Sequence, residues 1–284
     1  LAIIGGSGLY EIEDIEESQW EKIETPWGLP SDELLTFKYR GNETYFLPRH
    51  GRGHKISPTN INFRANIDAL KQKGVTDIVS ISAVGSLKQE LPPGMFVLVD
   101  QFIDRTFARD KTFFDDEIVA HVSMAKPTSG LLTDICETSL KKLKIDYKRG
   151  GIYLAMEGPQ FSTRAESMLY KNWEVDVIGM TNMPEAKLAR EAEIRYSTIA
   201  MVTDYDCWHP NHDNVDVNMI IETLTKNVNK AKDLIKMIIR NYEIDDTSDT
   251  TKNCLDTAII TNPSCMTDKT KNKLKTIAGR VLFK

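Results

Sequence analysis

The chain has no run approaching the roughly 20 apolar residues that cross a bilayer, and it does not open with the charged-then-apolar pattern of a secretory leader. Both absences point to a cytoplasmic protein with no membrane partner. The first residue is Leu rather than Met, so the expected start of the gene product lies just before it. An excess of basic charge is also missing: 36 Lys and Arg stand against 41 Asp and Glu, a net charge of −5. Nucleic-acid binders usually show a basic footprint, so nucleic acid is not an expected partner. Cysteine is scarce. Cys136, Cys207, Cys254 and Cys265 are scattered, with no C-x-x-C and no zinc spacing, and read as reduced thiols. A Cys254–Cys265 disulfide is the one bridge to consider. Nucleotide fingerprints are incomplete: Gly5-Gly6-Ser7-Gly8 lacks the third glycine of G-x-G-x-x-G, and no Gly-Lys-Ser follows for a P-loop.

What is present describes an ordinary globular protein of 284 residues, 41% hydrophobic and 27% charged, long enough to bury one large core. Apolar runs predict strands over 1–4, 34–39, 44–47, 75–82, 95–99, 151–156, 175–178 and 194–202. Helices are expected over 60–73, 128–143, 183–193 and 215–242. Residues 11–33 and 107–121 read as irregular. Thr163 and Glu166 form a capping box, and Asn182 and Glu185 with Pro184 repeat that pattern. This order predicts an α/β fold with a mixed, partly parallel central sheet flanked by helices. The main domain is expected over 1–242, with a polar linker and a helical extension over 243–284 packed on it.

Polar groups gather where the strands end. The strand over 199–202 runs into Asp204 and Asp206, and alternation along an extended chain puts both acids on one side and Tyr205 on the other. Ligands in open α/β sheets collect outside the carboxyl ends of strands, although Asp is also common at helix caps and turns. Residues 48–54, Pro-Arg-His-Gly-Arg-Gly-His, place cationic donors among glycines, which suits an oxyanion or a solvated loop. Ala83-Val84-Gly85-Ser86 supplies small and hydroxyl residues. Thr181 precedes a helix N-terminus, a favourable place for an anion.

The motifs GGSG at 5–8, RHGRGH at 49–54, SAVGSL at 82–87, DQFIDRT at 100–106, EGPQFSTRAE at 157–166, IGMTNMPEA at 178–186 and IAMVTDYDCW at 199–208 resemble the trimeric purine nucleoside phosphorylase family. More closely they are similar to its branch acting on S-methyl-5'-thioadenosine. The resemblance runs in register from residue 1 to about 242. It implies phosphorolysis of that nucleoside to adenine and 5-methylthioribose 1-phosphate, with inorganic phosphate as co-substrate and neither metal nor organic cofactor. The alternative is a 6-oxopurine nucleoside or methylthioinosine phosphorylase, with a non-catalytic nucleoside-binding protein as a further one.

By the same resemblance Ser7, Arg49, His50, Ser82, Ala83 and Thr181 hold phosphate; Ser7 stands where many relatives carry Thr and keeps the hydroxyl. Phe161 stacks on the purine, Ile178 and Met180 line the nucleoside site, and Asp204 meets the base at N7 and the exocyclic amine with help from Asp206. Val215, Val217, Ile220 and Ile221 form the apolar pocket for the 5' substituent, and core packing is the competing role for each of them. His121 reaches the active site of a neighbouring subunit. The implied assembly is a homo-oligomer, a trimer or a dimer of trimers.

Overall fold

The computed structural model describes residues 1–6, 8–209, 217–244 and 249–283, with backbone alone for 217–222 and 224. At its centre lies a parallel row. Strand β1 (Ala2–Gly5) pairs in parallel with β4 (Asn42–Pro48) on one side and β5 (Asp77–Ser86) on the other, and β5 pairs in parallel with β11 (Arg195–Asp204). β1 is buried throughout, β5 and β11 almost throughout, and β4 in its second half, and the apolar runs 2–4, 46–48, 78–79 and 199–202 lie in those covered stretches. Two antiparallel strands, β2 (Glu16–Glu21) and β3 (Leu34–Tyr39), extend the sheet beyond β4.

The other flank divides. The last residues of β5 turn away to pair antiparallel with β10 (Val177–Gly179), which continues through β9 (Ile152–Ala155) to β7 (Gln101–Asp104). Strand β11 meanwhile pairs antiparallel with β6 (Phe96–Val99), and β6 pairs with β8 (Tyr147–Arg149). Among the described residues, eleven strands thus form one mixed sheet, as expected for the α/β class.

Alternation along the central strands sorts side chains into two of the three hydrophobic clusters among the described residues. Ile4, Leu47, Ile78 and Val202 face α1 (Phe63–Gln72), α4 (Asn182–Glu191) and α7 (Lys275–Leu282). Ile3, Phe46, Val79, Ile81 and Met201 face α2 (Gly130–Leu143) and α5 (Val217–Asn241), whose Leu132, Leu140, Leu234 and Ile238 recur at helical spacing. Helix α3 (Arg164–Asn172) starts at the expected capping box, formed in full by Thr163 and Glu166. Helix α6 (Asp268–Lys273) leads into α7, where Leu274, Ile277 and Ala278 share the core of Ile67 and Leu70.

Several expectations change. Residues 11–33 contain β2, an exposed, polar edge strand without the apolar alternation that marks a strand in sequence. The second capping box does not form: Thr181 takes the cap position, Met183 is extended, and Asn182 and Glu185 turn into the protein. All four cysteines are free, so Cys254 and Cys265 are not bridged. The 107–121 segment carries neither helix nor strand, only a bridge between Ala120 and Ile259.

Candidate active site

A cavity of about 320 Å³ opens at the carboxyl ends of β1, β4, β5, β10 and β11. That is within the range of small-molecule sites. Arg49, His50, Ser82, Ala83, Thr181, Phe161, Ile178, Met180, Asp204 and Asp206 all line it, although the sequence spreads them over more than half the chain. His121 does not: it is exposed, and its backbone N–H donates to the Ala258 carbonyl at 2.9 Å. Ser7, Val215 and the side chains of Val217, Ile220 and Ile221 lie outside the described residues. His54, part of the donor cluster at 48–54, also faces the cavity, as do Met156, Pro159 and Thr203, which sequence reasoning missed.

At one end stand the two acids. The β5–β11 register slips between Val202 and Asp204, a bulge that re-aims the end of the strand. Gly85 opposite leaves room for this, since a Cβ there would lie 2.9 Å from Asp204 Oδ1. Asp204 Oδ2 accepts from the Thr203 hydroxyl at 2.7 Å and Oδ1 from the Asp206 N–H at 2.8 Å. The acids do not share a side through strand alternation, as the extended reading expected. Asp206 has a φ of +48° and starts a 3₁₀ turn, so the chain folds back and brings its N–H to Asp204.

Burial raises the proton affinity of both carboxyls. For Asp204 it outweighs the two hydrogen bonds received. For Asp206 burial, with a contribution from the Asp204 charge, pushes the pKa up to about 6. Asp206 Oδ2 has no hydrogen-bond partner among the described residues.

The other end combines hydroxyls with a compensated cation. Arg49 is buried, donating from Nε and Nη2 to the two Glu185 oxygens at 2.7 and 3.1 Å, from Nη2 to Ser80 Oγ at 2.6 Å, and from Nη1 to the Ile81 carbonyl at 3.0 Å. Burial opposes its charge, and the Glu185 carboxylate overrides that effect. The bidentate face expected to grip an anion is therefore occupied by Glu185. A second Nη1 hydrogen remains for the cavity.

His50 Nδ1 lies 2.8 Å from the Ile56 carbonyl and must donate to it, leaving Nε2 as an acceptor in the neutral ring. Burial lowers its pKa to about 4, so the ring is neutral at pH 7. His54 stacks on it at 4.3 Å. Arg52, read with them as a donor, instead pairs with Asp32 and Glu33 and covers the Trp20 ring. Ser82 donates to Asn182, and the buried Thr181 hydroxyl has no partner among the described residues. Between the two ends lie Met180, packed against the bare Cα of Gly158, and the half-exposed Phe161. Among the described residues, no group of three or more His, Cys, Asp or Glu is placed to hold a metal ion.

Two shielded acids at one end of a cavity and neutral donors with a paired arginine at the other define a site for a small polar molecule with an anion beside it. The profile of the phosphorylase superfamily matches residues 1–240, and the chain belongs to that superfamily. Among its relatives, an S-methyl-5'-thioadenosine phosphorylase of Rhodospirillum rubrum is 55% identical over 99% of this chain and 97% of its own length. That of Geobacter sulfurreducens is 48% identical over 98% of both chains. A methylthioadenosine phosphorylase from an Antarctic soil metagenomic library superimposes with a TM-score of 0.92 at 46% identity, over 97% of each chain. The Schistosoma mansoni enzyme in complex with adenine gives 0.83 at 32% identity, over 90% of this chain and 97% of its own.

Proposed function

We propose that this protein cleaves S-methyl-5'-thioadenosine with inorganic phosphate, giving adenine and 5-methylthioribose 1-phosphate. The observation that carries the reading is the pair of Asp204, partly buried, and Asp206, buried, together in the cavity with their proton affinity raised. Breaking a glycosidic bond builds positive charge on the sugar and negative charge on the departing base. Phosphate balances the first charge. A carboxyl that holds or shares a proton relieves the second at N7 of the purine, and burial gives Asp204 that capacity. A carboxylate oxygen also accepts from a 6-amino group, which favours adenine over a 6-oxopurine.

The nucleophile sits at the opposite end. Thr181 donates its hydroxyl to it, Ser82 and Ala83 line its site, Arg49 supplies its remaining N–H, and Ser7 belongs to the same site. His50 Nε2 is an acceptor, so it meets the protonated oxygen of hydrogen phosphate. Phe161 stacks on the purine, while Ile178 and Met180 bound the sugar side. Val215, Val217, Ile220 and Ile221 enclose the methylthio group, and His121 serves a neighbouring subunit of a trimer or a dimer of trimers. Phosphate is the co-substrate and no cofactor takes part. The protein works in the cytoplasm; among the described residues no helix is long and apolar enough to cross a membrane.

The test is an assay of purified protein with methylthioadenosine, adenosine, inosine and methylthioinosine, each with and without phosphate. Phosphate-dependent adenine release, fastest from methylthioadenosine, is the expected result. Faster hypoxanthine release would replace it with a 6-oxopurine specificity, and binding without turnover would make the protein a nucleoside binder.

A further inference from the structure

Beside the cavity, Arg109 on the 107–121 segment and Glu157, two residues past β9, form a buried ion pair that does not line the site, with Nε 3.0 Å from Oε1. All five guanidinium hydrogens have acceptors. Beyond Glu157 Oε1, Nη1 donates to the Met180 and Met183 carbonyls at 2.6 and 2.7 Å. Nη2 donates to the Glu157 and Met156 carbonyls at 2.7 and 3.4 Å. Glu157 is equally engaged, accepting from the Thr59 hydroxyl at 2.6 Å and from the Phe107 and Ala108 N–H groups at 2.6 and 3.1 Å. One side-chain pair therefore joins the 107–109 segment, Thr59, the loop leading to Phe161, and the Met180–Met183 turn.

We propose that Arg109, locked by Glu157, is a positioning residue for the reaction: it fixes the Met180–Thr181 peptide and the 157–161 loop relative to each other. This rests on the function proposed above. A trans peptide is planar, with its C=O and N–H pointing in opposite directions. By drawing the Met180 carbonyl toward itself, Arg109 keeps a negative dipole away from the anion and sets the direction from which Thr181 enters the cavity. Its hold on the Glu157 carbonyl places the next residue, Gly158, whose bare Cα Met180 packs against. A lysine cannot substitute fully, since one ammonium lacks the planar fork that serves four backbone carbonyls at fixed angles.

The test compares Arg109→Lys, Arg109→Met and Glu157→Gln with wild type by thermal melting, calorimetric titration with inorganic phosphate and with adenine, and steady-state phosphorolysis. The expected result is that Arg109→Met weakens both titrations and raises both KM values by on the order of 10-fold. Arg109→Lys should recover part of the loss. Glu157→Gln, which keeps the shape and removes the charge, shifts both constants in the same direction and carries the test if Arg109→Met fails to fold. Folded variants with lowered melting points but wild-type binding constants and KM values would overturn the proposal and leave Arg109 a structural brace. If wild-type protein releases no adenine, the functional reading fails separately. A crystal structure of Arg109→Lys then decides, and the Met180 carbonyl and Phe161 in their wild-type places would overturn the positioning role.

Discussion

Arg49 and Glu185 stand 136 positions apart in the sequence and meet in a two-pronged ion pair, each side chain 1% exposed. The guanidinium beside the anion end of the cavity is thus neutralised before any anion arrives. Glu185 also accepts from Ser80 and Tyr196, at 2.6 and 2.8 Å, so the acid is the hub of the contacts that hold the arginine.

Removing that hub separates stability from binding. Glu185→Gln leaves a buried guanidinium without its counter-charge, and losing one partner of such a pair destabilises by about 3–5 kcal/mol. Phosphate should replace part of the missing charge. Melting curves with increasing phosphate are expected to rise more steeply for the variant than for wild type; parallel curves would place the anion away from Arg49.

The role in base choice proposed for Asp204 has a direct test. In Asp204→Asn the amide offers a donor where the carboxylate accepted, which suits a 6-oxo group and removes the shared proton. Adenine release should fall by about 10²-fold or more, while the ratio of inosine to adenosine cleavage rises. Unchanged base preference in competition assays would remove Asp204 from recognition.

Asp206 opposes stability at neutral pH. Its proton affinity is raised in the folded state, from an ordinary 3.8 to about 6, chiefly by burial. Stability from this group is complete below the unfolded value and is lost as pH rises through about 6, because the native state must then release a proton that it binds more tightly than the unfolded chain. Asp206→Asn should therefore be more stable than wild type above pH 6, by about 2–3 kcal/mol, with little difference near pH 4. Urea titrations at pH 4, 5, 6 and 7 check the sign; a stability gap that did not widen with pH would contradict it.

Thr181 carries a buried hydroxyl without a partner among the described residues, a condition that costs about 1–3 kcal/mol when nothing is bound. Thr181→Ala should keep or slightly raise the melting temperature while the KM for phosphate increases about 10-fold, and Thr181→Ser should restore most of the affinity. Equal phosphate KM values for all three proteins would show that the hydroxyl faces something other than the nucleophile.

Much of this was legible in the sequence wherever burial leaves an apolar run. Strands β5 and β11 stand out because both faces are covered. The edge strand β2, EESQWE, does not, since its side chains meet water and its partner supplies the only order. The acids at 204 and 206 could be marked as candidates from their place after a strand, but the turn that joins them depends on a left-handed residue that no residue type announces. In the sequence Glu185 reads as a helix-capping acid, because local spacing cannot report an arginine 136 residues away. Arg109 was passed over for a similar reason: it lies in a segment without period, and its importance comes from carbonyls that any residue could have supplied. Arg52, in contrast, had the right composition around it and points elsewhere.

The cavity is walled by residues from Gly6 to Asp206, on strands whose pairings join distant parts of the chain, as when Arg195 to Asp204 lie beside Asp77 to Gly85. Such non-local closures come late when a chain collapses. Ligand capture should therefore be among the last properties regained on refolding, after helical dichroism has returned, and a nascent chain released before β11 should be unable to retain its purine.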